Sequence, residues 1–183
     1  MMQGTKFPTQ FVELKKNHAG PIYTVKFNNN GEYIMTGSED RSVCLYNPHK
    51  NMMIQNYKNL HNYDVSSLAI TNDNSKFATG GGDKNVMVTD VIQGKSIRKY
   101  SGHNGRVNCV CFNDDCSVLL SSSYDTTVKF WDNRANSFHP IDIIKGFKDS
   151  VSRVEVRGAE VICSSMDGCI RFYDIRTGTF ISD

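Results

Sequence analysis

Four stretches of this chain can be written under one another without a gap. They are T-G-S-E-D-R-S-V-C-L-Y-N from Thr36, T-G-G-G-D-K-N-V-M-V-T-D from Thr79, S-S-S-Y-D-T-T-V-K-F-W-D from Ser121 and C-S-S-M-D-G-C-I-R-F-Y-D from Cys163. Their shared aspartates, Asp40, Asp83, Asp125 and Asp167, stand 43, 42 and 42 residues apart. A histidine keeps the same step in three copies, with His18, His61 and His103 each 22 residues before the aspartate. Apolar slots stay in phase as well: Val43, Val86, Val128 and Ile170 fill one, and Leu45, Val88, Phe130 and Phe172 another. A fixed period of this length means that each unit is one supersecondary element that buries its faces against its neighbours.

The third copy gives the clearest reading of that element. V-N-C-V-C-F-N is a strand ending in the turn Asn113-Asp114-Asp115, and V-L-L-S-S-S is the next strand. Tyr124-Asp125-Thr126 is a tight turn, T-V-K-F-W-D a third strand, and H-P-I-D-I-I a weaker fourth. β-Branched and aromatic runs bounded by Asn, Asp, Gly and Ser are the strand signal. No capped amphipathic helix of useful length is legible. Val128, Phe130 and Trp131 put apolar groups on both faces of one strand, the pattern of a sheet held between two others. The expected class is therefore all-β, a β-propeller with four blades of four antiparallel strands. The expected units are residues 16–57, 58–100, 101–144 and 145–183, preceded by an N-terminal strand within 1–15.

Composition narrows the function. The formal charge is +2, from 21 basic and 19 acidic residues. That balance argues against a nucleic-acid or anionic-membrane surface. The N-terminal MMQGTKFPTQF lacks the apolar centre of a secretory signal, and no apolar run approaches the ~18 residues of a membrane span, so a soluble protein is expected. Six cysteines are present and none forms C-x-x-C, so they read as reduced structural thiols of an intracellular protein.

Gly102-His103, Asp125 and Trp131-Asp132 in one unit resemble the WD-repeat family. That resemblance implies a hydrogen-bonded chain of His, Ser/Thr, Asp and Trp inside each blade. The third blade carries it whole in His103, Ser121, Asp125 and Trp131. The first has His18, Thr36 and Asp40, with Tyr46 in the Trp slot. The second has His61, Thr79 and Asp83, with Thr89 there. The fourth keeps Asp167 alone, because Phe147, Cys163 and Tyr173 fill the other slots. Blade three is thus expected to be the most rigid and blade four the least polar inside. Segments such as G-G-G-D-K-N-V-M-V-T-D-V, G-K-S-I-R-K-Y-S-G-H-N-G-R-V-N-C-V-C-F-N and M-D-G-C-I-R-F-Y-D-I-R-T-G resemble, more narrowly, a subfamily of mitogen-activated protein kinase organisers. This implies a seven-bladed ring, scaffold work in a MAP-kinase cascade, an association with the spliceosome, and a cytoplasmic or nuclear location. Four blades cannot close such a ring, so truncation of a longer protein is the favoured expectation. In the subfamily a strand like F-V-E-L-K, Phe11–Lys15, completes the last blade.

Sets of Ser, His and Asp invite a catalytic-triad reading. A set that recurs once per blade at fixed phase is better read as a buried network whose polar groups must all be satisfied. The three histidines fall on different blades, too far apart to be expected to share a metal. Gly80-Gly81-Gly82 is followed by no G-K-[S/T] and no helix, so it is not a phosphate loop. No enzyme activity, cofactor, metal, nucleic acid, membrane or small-molecule substrate is expected.

The resemblance implies partner contacts three and five residues after each His and just before each Asp. Those positions are Pro21, Tyr23 and Glu39; Asp64, Ser66 and Gly82; Arg106, Asn108 and Tyr124; and Ser150, Ser152 and Met166. Tyr23, Glu39, Asp64, Arg106, Asn108, Tyr124 and Met166 are the candidate partner-binding residues, because Tyr, Arg and Met are enriched in interfaces. The blander reading makes them ordinary exposed loop residues. Trp131-Asp132-Asn133-Arg134 fits the W-D-x-R pattern of adaptor-binding WD proteins in cullin-RING ubiquitin ligases, and Tyr173-Asp174-Ile175-Arg176 is a weaker copy. Arg134 and Arg176 are thus candidates for a ligase adaptor, against the plainer role of capping a turn.

Overall fold

Sixteen strands and no helix make up residues 17–182, the part of the chain that the computed structural model describes. The first sheet contains β1 (Ile22–Phe27), β2 (Ile34–Ser38), β3 (Val43–Asn47) and β4 (Met52–Tyr57). The second contains β5 (Val65–Ile70), β6 (Lys76–Gly81), β7 (Asn85–Asp90) and β8 (Ser96–Ser101). The third contains β9 (Val107–Phe112), β10 (Val118–Ser123), β11 (Val128–Asp132) and β12 (Asp142–Ile144). The fourth contains β13 (Val151–Arg157), β14 (Glu160–Ser165), β15 (Ile170–Asp174) and β16 (Thr179–Ser182). Each sheet is an antiparallel meander in chain order, one blade of a propeller. The N-terminal strand expected within 1–15 lies outside the described residues.

The ladders keep the sequence phase. Leu119 faces Trp131 in blade three, as Phe77 faces Thr89, Ile34 faces Tyr46 and Val161 faces Tyr173. One strand is shorter than its sequence suggests. The run H-P-I-D-I-I yields only the three residues of β12, because Pro140 has no N–H to give to a ladder.

Burial follows the seams between blades rather than the middle of any one sheet. Met35, Val43, Tyr57, Leu60, Val65, Leu68 and Phe77 fill the first seam. Ala78, Val86, Val88, Tyr100, Val107, Val110, Leu119 and Trp131 fill the second. Cys109, Leu120, Val128, Phe130, Phe147, Val151, Val154, Val161 and Cys163 fill the third. Each fully buried large apolar side chain contributes about 1.5–3 kcal/mol, so a blade is stable only against its neighbours. Val25 and Phe27 on the first sheet and Ile170 on the last remain exposed.

Two tyrosines stitch the seams in the same way. Tyr57, at the end of β4, tilts onto Phe77 and donates its hydroxyl to the Val91 carbonyl at 2.8 Å. Tyr100, on β8, stacks on Trp131 with ring centres 5.1 Å apart and donates to the Asp132 carbonyl at 2.9 Å. Both roles escaped the sequence reading, although each Tyr stands just before a repeat histidine.

Candidate interaction rim

The polar chain of blade three begins at Trp131. Its indole N–H can only donate, and it meets Ser121 Oγ at 2.8 Å. Ser121 therefore passes its own proton to His103 Nε2, 2.8 Å away, and the Nδ1 proton points at Asp125 Oδ2 at 2.8 Å. Blade two repeats the inner part, with His61 2.8 Å from both Thr79 Oγ1 and Asp83 Oδ1. Blade one does so with His18, 2.8 Å from Thr36 Oγ1 and 3.0 Å from Asp40 Oδ2. In blade two the Trp slot is Thr89, fully buried, whose hydroxyl finds no partner among the described residues.

The aspartates are held ionised. Burial pulls Asp83 upward, but bonds from His61 and the N–H groups of Asn62 and Asn85 outweigh it, leaving the pKa at about 2. Asp40 is also drawn up by burial and then down to about 2, by Ser42, Ala19 and His18. Asp125 moves in the same direction for the same reasons.

Blade four corrects one expectation. Its interior is not the least polar, because Arg171 fills the space left by the missing histidine. The guanidinium lies 2.9 Å from Asp167 Oδ2 and 3.1 Å from Oδ1, and 5.0 Å from the centre of the Phe147 ring. Both charged side chains are buried. The Lys148 N–H is the largest influence holding Asp167 down at about 2, with Cys169 N–H and Arg171 adding to it against burial.

These networks shape one rim. Each aspartate accepts the N–H that follows the histidine slot: Ala19, Asn62, Asn104 and Lys148. The neighbouring N–H, one residue before the aspartate, donates to the carbonyl three residues after that slot. Glu39 thus bonds to Pro21, Gly82 to Asp64, Tyr124 to Arg106 and Met166 to Ser150, at 2.8–3.0 Å. The sequence candidates are brought together pair by pair, one pair per blade. Tyr124 is 64% exposed, Met166 68% and Tyr23 50%, and Glu39 is exposed.

Other candidates are spent on holding blades together. Arg106 Nη2 pairs with Asp64 Oδ2 at 2.9 Å across the second seam. Asn108 Nδ2 donates to Ser150 Oγ at 2.8 Å and to the Val151 carbonyl at 2.9 Å across the third. Ser66 Oγ donates to the carbonyls of Gly80 and Val107. Tyr23, at the matching position of blade one, faces solvent instead.

Sequence reasoning missed Tyr63, which is 64% exposed on the same rim. A Cβ on Gly82 would press on Tyr63 Cβ and Asp64 Oδ1, and one on Gly105 would press on Tyr124 Cβ and Asp125 N. Blade two therefore carries Tyr63 beside Gly82, and blade three Gly105 beside Tyr124. The exposed tyrosine thus comes from the segment before the first strand in blade two and from the turn between the second and third strands in blade three. The signal was readable only as a paired exchange of Gly and Tyr.

Among the described residues, no group of three or more His, Cys, Asp or Glu is placed to hold a metal. Cysteines 44, 109 and 163 are buried, and all six are free. Burial pushes the Cys163 thiol up to about 12.

The WD domain, G-beta repeat family matches residues 10–47, 55–90 and 94–132, more than half of the chain. The chain belongs to the WD-repeat family. It is 33% identical over 91% of its length to a WD repeat domain-containing protein 83 homolog of Dictyostelium discoideum, of which it covers 59%. It is 29% identical over 87% of its length to the pre-mRNA-splicing factor cwf17 of Schizosaccharomyces pombe, of which it covers 47%. The chain spans about half the length of these WD-repeat relatives. The solved structure of U3-55K superposes with a TM-score of 0.85 over 91% of this chain and 52% of that one. At 19% identity it speaks to the WD-repeat fold alone.

In WD-repeat terms the two W-D-x-R-type arginines sit in the turns after the third strands. The Arg134 N–H caps Asp132 Oδ1 at 2.7 Å, and its carbonyl accepts Arg98 Nη2 at 3.3 Å. The Arg176 guanidinium pairs with Asp174 at 2.9 Å on the surface.

Proposed function

We propose that this chain is a non-enzymatic protein-interaction scaffold, working in splicing complexes or a MAP-kinase cascade, in the nucleus or cytoplasm. The observation that carries the reading is the pairing of Glu39 with Pro21, Gly82 with Asp64, Tyr124 with Arg106 and Met166 with Ser150 on one rim. A rigid sheet framework with large exposed side chains at fixed spacing suits protein recognition, where Tyr and Arg often make the strongest contacts and Met is enriched. The His61–Asp83 and His103–Asp125 side chains are enclosed within their blades, and such a set recurs once per blade, which supports a structural role for them. The likeness to a splicing factor supports the spliceosomal assignment; the kinase-cascade assignment rests on the sequence resemblance.

The test is affinity capture with the full chain and its Tyr124→Ala/Arg106→Ala variant. Splicing or kinase-cascade proteins held by the wild type and lost from the variant support the proposal. Capture of a ubiquitin-ligase adaptor that depends on Arg134 or Arg176 would favour the ligase reading instead.

A further inference from the structure

We infer that the seam between blades three and four takes a tyrosine side chain of a partner protein, in the slot that Tyr57 and Tyr100 fill in the other two seams. The slot lies at the opposite strand ends from the rim, and the inference stands apart from the reading of that surface.

The ladders define the slot. Tyr57 faces Val43 and Tyr100 faces Val86, but Ile144 is the residue that faces Val128. Both tyrosines are buried against a ring of the next blade and donate to a main-chain carbonyl there. The Ile144 side chain offers neither a ring nor a donor. Beside it lies a cavity of about 360 Å³, lined by Leu120, Phe130, Ile141, Ile144, Tyr173 and Ile175 among others. The charged Asp174 and Arg176 of the lining are paired with each other. The matching place in the first seam, with Tyr57 present, keeps a cavity of about 260 Å³.

The walls reproduce what the two tyrosines meet. Tyr173 stands at the sequence position of Trp131, on which Tyr100 stacks. Ile175 stands at that of Val91, whose carbonyl accepts from Tyr57. The turns match as well. Gly94 N–H closes onto the Asp90 carbonyl at 3.0 Å and Gly178 N–H onto the Asp174 carbonyl at 2.9 Å, while the N–H groups of Val91 and Ile175 bond to Ser75 and Ala159. The Ile175 carbonyl takes no hydrogen bond among the described residues. A slot with an aromatic wall, apolar sides and an open acceptor fits a phenol better than an aliphatic chain. Ile141 and Ile175 line the cavity while remaining 56% and 46% exposed, so its apolar surface continues outside. Residues flanking a tyrosine can cover that surface and a free phenol cannot, which favours a protein as the source.

The experiment pans a phage-displayed random peptide library on the full chain, with Ile144→Tyr as the counter-selection. Ile144→Tyr should fill the slot from within and raise the thermal midpoint. Ile175→Lys, a change at an exposed position, serves as a second variant. Selected peptides are measured by fluorescence polarisation, and emission of Trp131 confirms that each variant is folded. The expected result is a set of peptides that share one tyrosine. Their affinity falls roughly tenfold or more when that tyrosine becomes Ala, and severalfold when it becomes Phe. Both protein variants weaken binding, and p-cresol competes with the peptides. Peptides without a shared tyrosine, a failure to select any, or peptides indifferent to both protein variants would overturn the inference. So would a lowered midpoint in Ile144→Tyr, since the slot would then not accept the ring. Saturable p-cresol binding without a selectable peptide would overturn it in favour of a small phenolic ligand. None of these results bears on the rim, which Tyr124→Ala/Arg106→Ala tests separately.

Discussion

Arg171 occupies in blade four the place that a histidine holds in the other three, bound by both carboxylate oxygens of Asp167 at 2.9 and 3.1 Å. The Phe147 ring under the guanidinium takes the histidine's own sequence position. A buried pair of this kind is fragile toward single changes, because removing one partner strands the other charge.

Arg171→Met should therefore lower the thermal midpoint sharply. The double variant Arg171→Met/Asp167→Asn should recover part of the loss, because no bare carboxylate is left. Differential scanning calorimetry of the two variants and wild type checks this, with non-additivity as the signature.

Trp131 is the sole tryptophan of the chain and is fully buried. Trp131→Phe keeps an aromatic ring against Tyr100 but removes the donor to Ser121, and should cost about 1–3 kcal/mol. Trp131→Ala empties the slot and should cost about 3–5 kcal/mol. Urea titration followed by circular dichroism measures both.

Asp40 and Asp83 have folded pKa values of about 2 against an ordinary 3.8. A depressed folded pKa gives stability that is complete above the unfolded value and lost as pH falls through the folded one. The thermal midpoint should stay nearly flat above about pH 5 and fall steadily between about pH 4 and pH 2. Asp83→Asn should be less stable at neutral pH and show a shallower acid slope.

Asn108 spans the third seam with two hydrogen bonds. Asn108→Ala should cost about 1–3 kcal/mol, since Ser150 and the Val151 carbonyl lose their donor. Hydrogen exchange should quicken in β13 and β14 before β1 and β2, because blades couple through nearest neighbours.

Gly82→Tyr should be poorly tolerated, because its Cβ meets Tyr63 and Asp64. Adding Tyr63→Gly should restore much of the stability by copying the arrangement of Gly105 and Tyr124. Thermal midpoints of the single and double variants decide this.

The blades were legible because strand and turn residues recur in phase, and the His–Ser/Thr–Asp sets because each residue type repeats at one position. The rim positions came from the resemblance to the WD-repeat family, and the backbone bond from Tyr124 to Arg106 joins two of them. What escaped depended on exchange between positions. Tyr63 replaces a side chain that Gly82 lacks, and Arg171 reaches from the third strand into a slot that the sequence assigns to Phe147. Alignment by slot treats each position separately and overlooks such compensation. The commitment of Asn108 and Ser66 to the seams was hidden too, because it needs the geometry of two blades at once.

The central claim is that the rim, and not the blade interior, is the working surface. Affinity capture with the full chain and with Tyr124→Ala/Arg106→Ala tests it most directly, with both proteins first matched in thermal midpoint and Trp131 emission. The account predicts that the variant keeps the fold and loses the partners held by the wild type. An unchanged set of partners on the folded variant would contradict it.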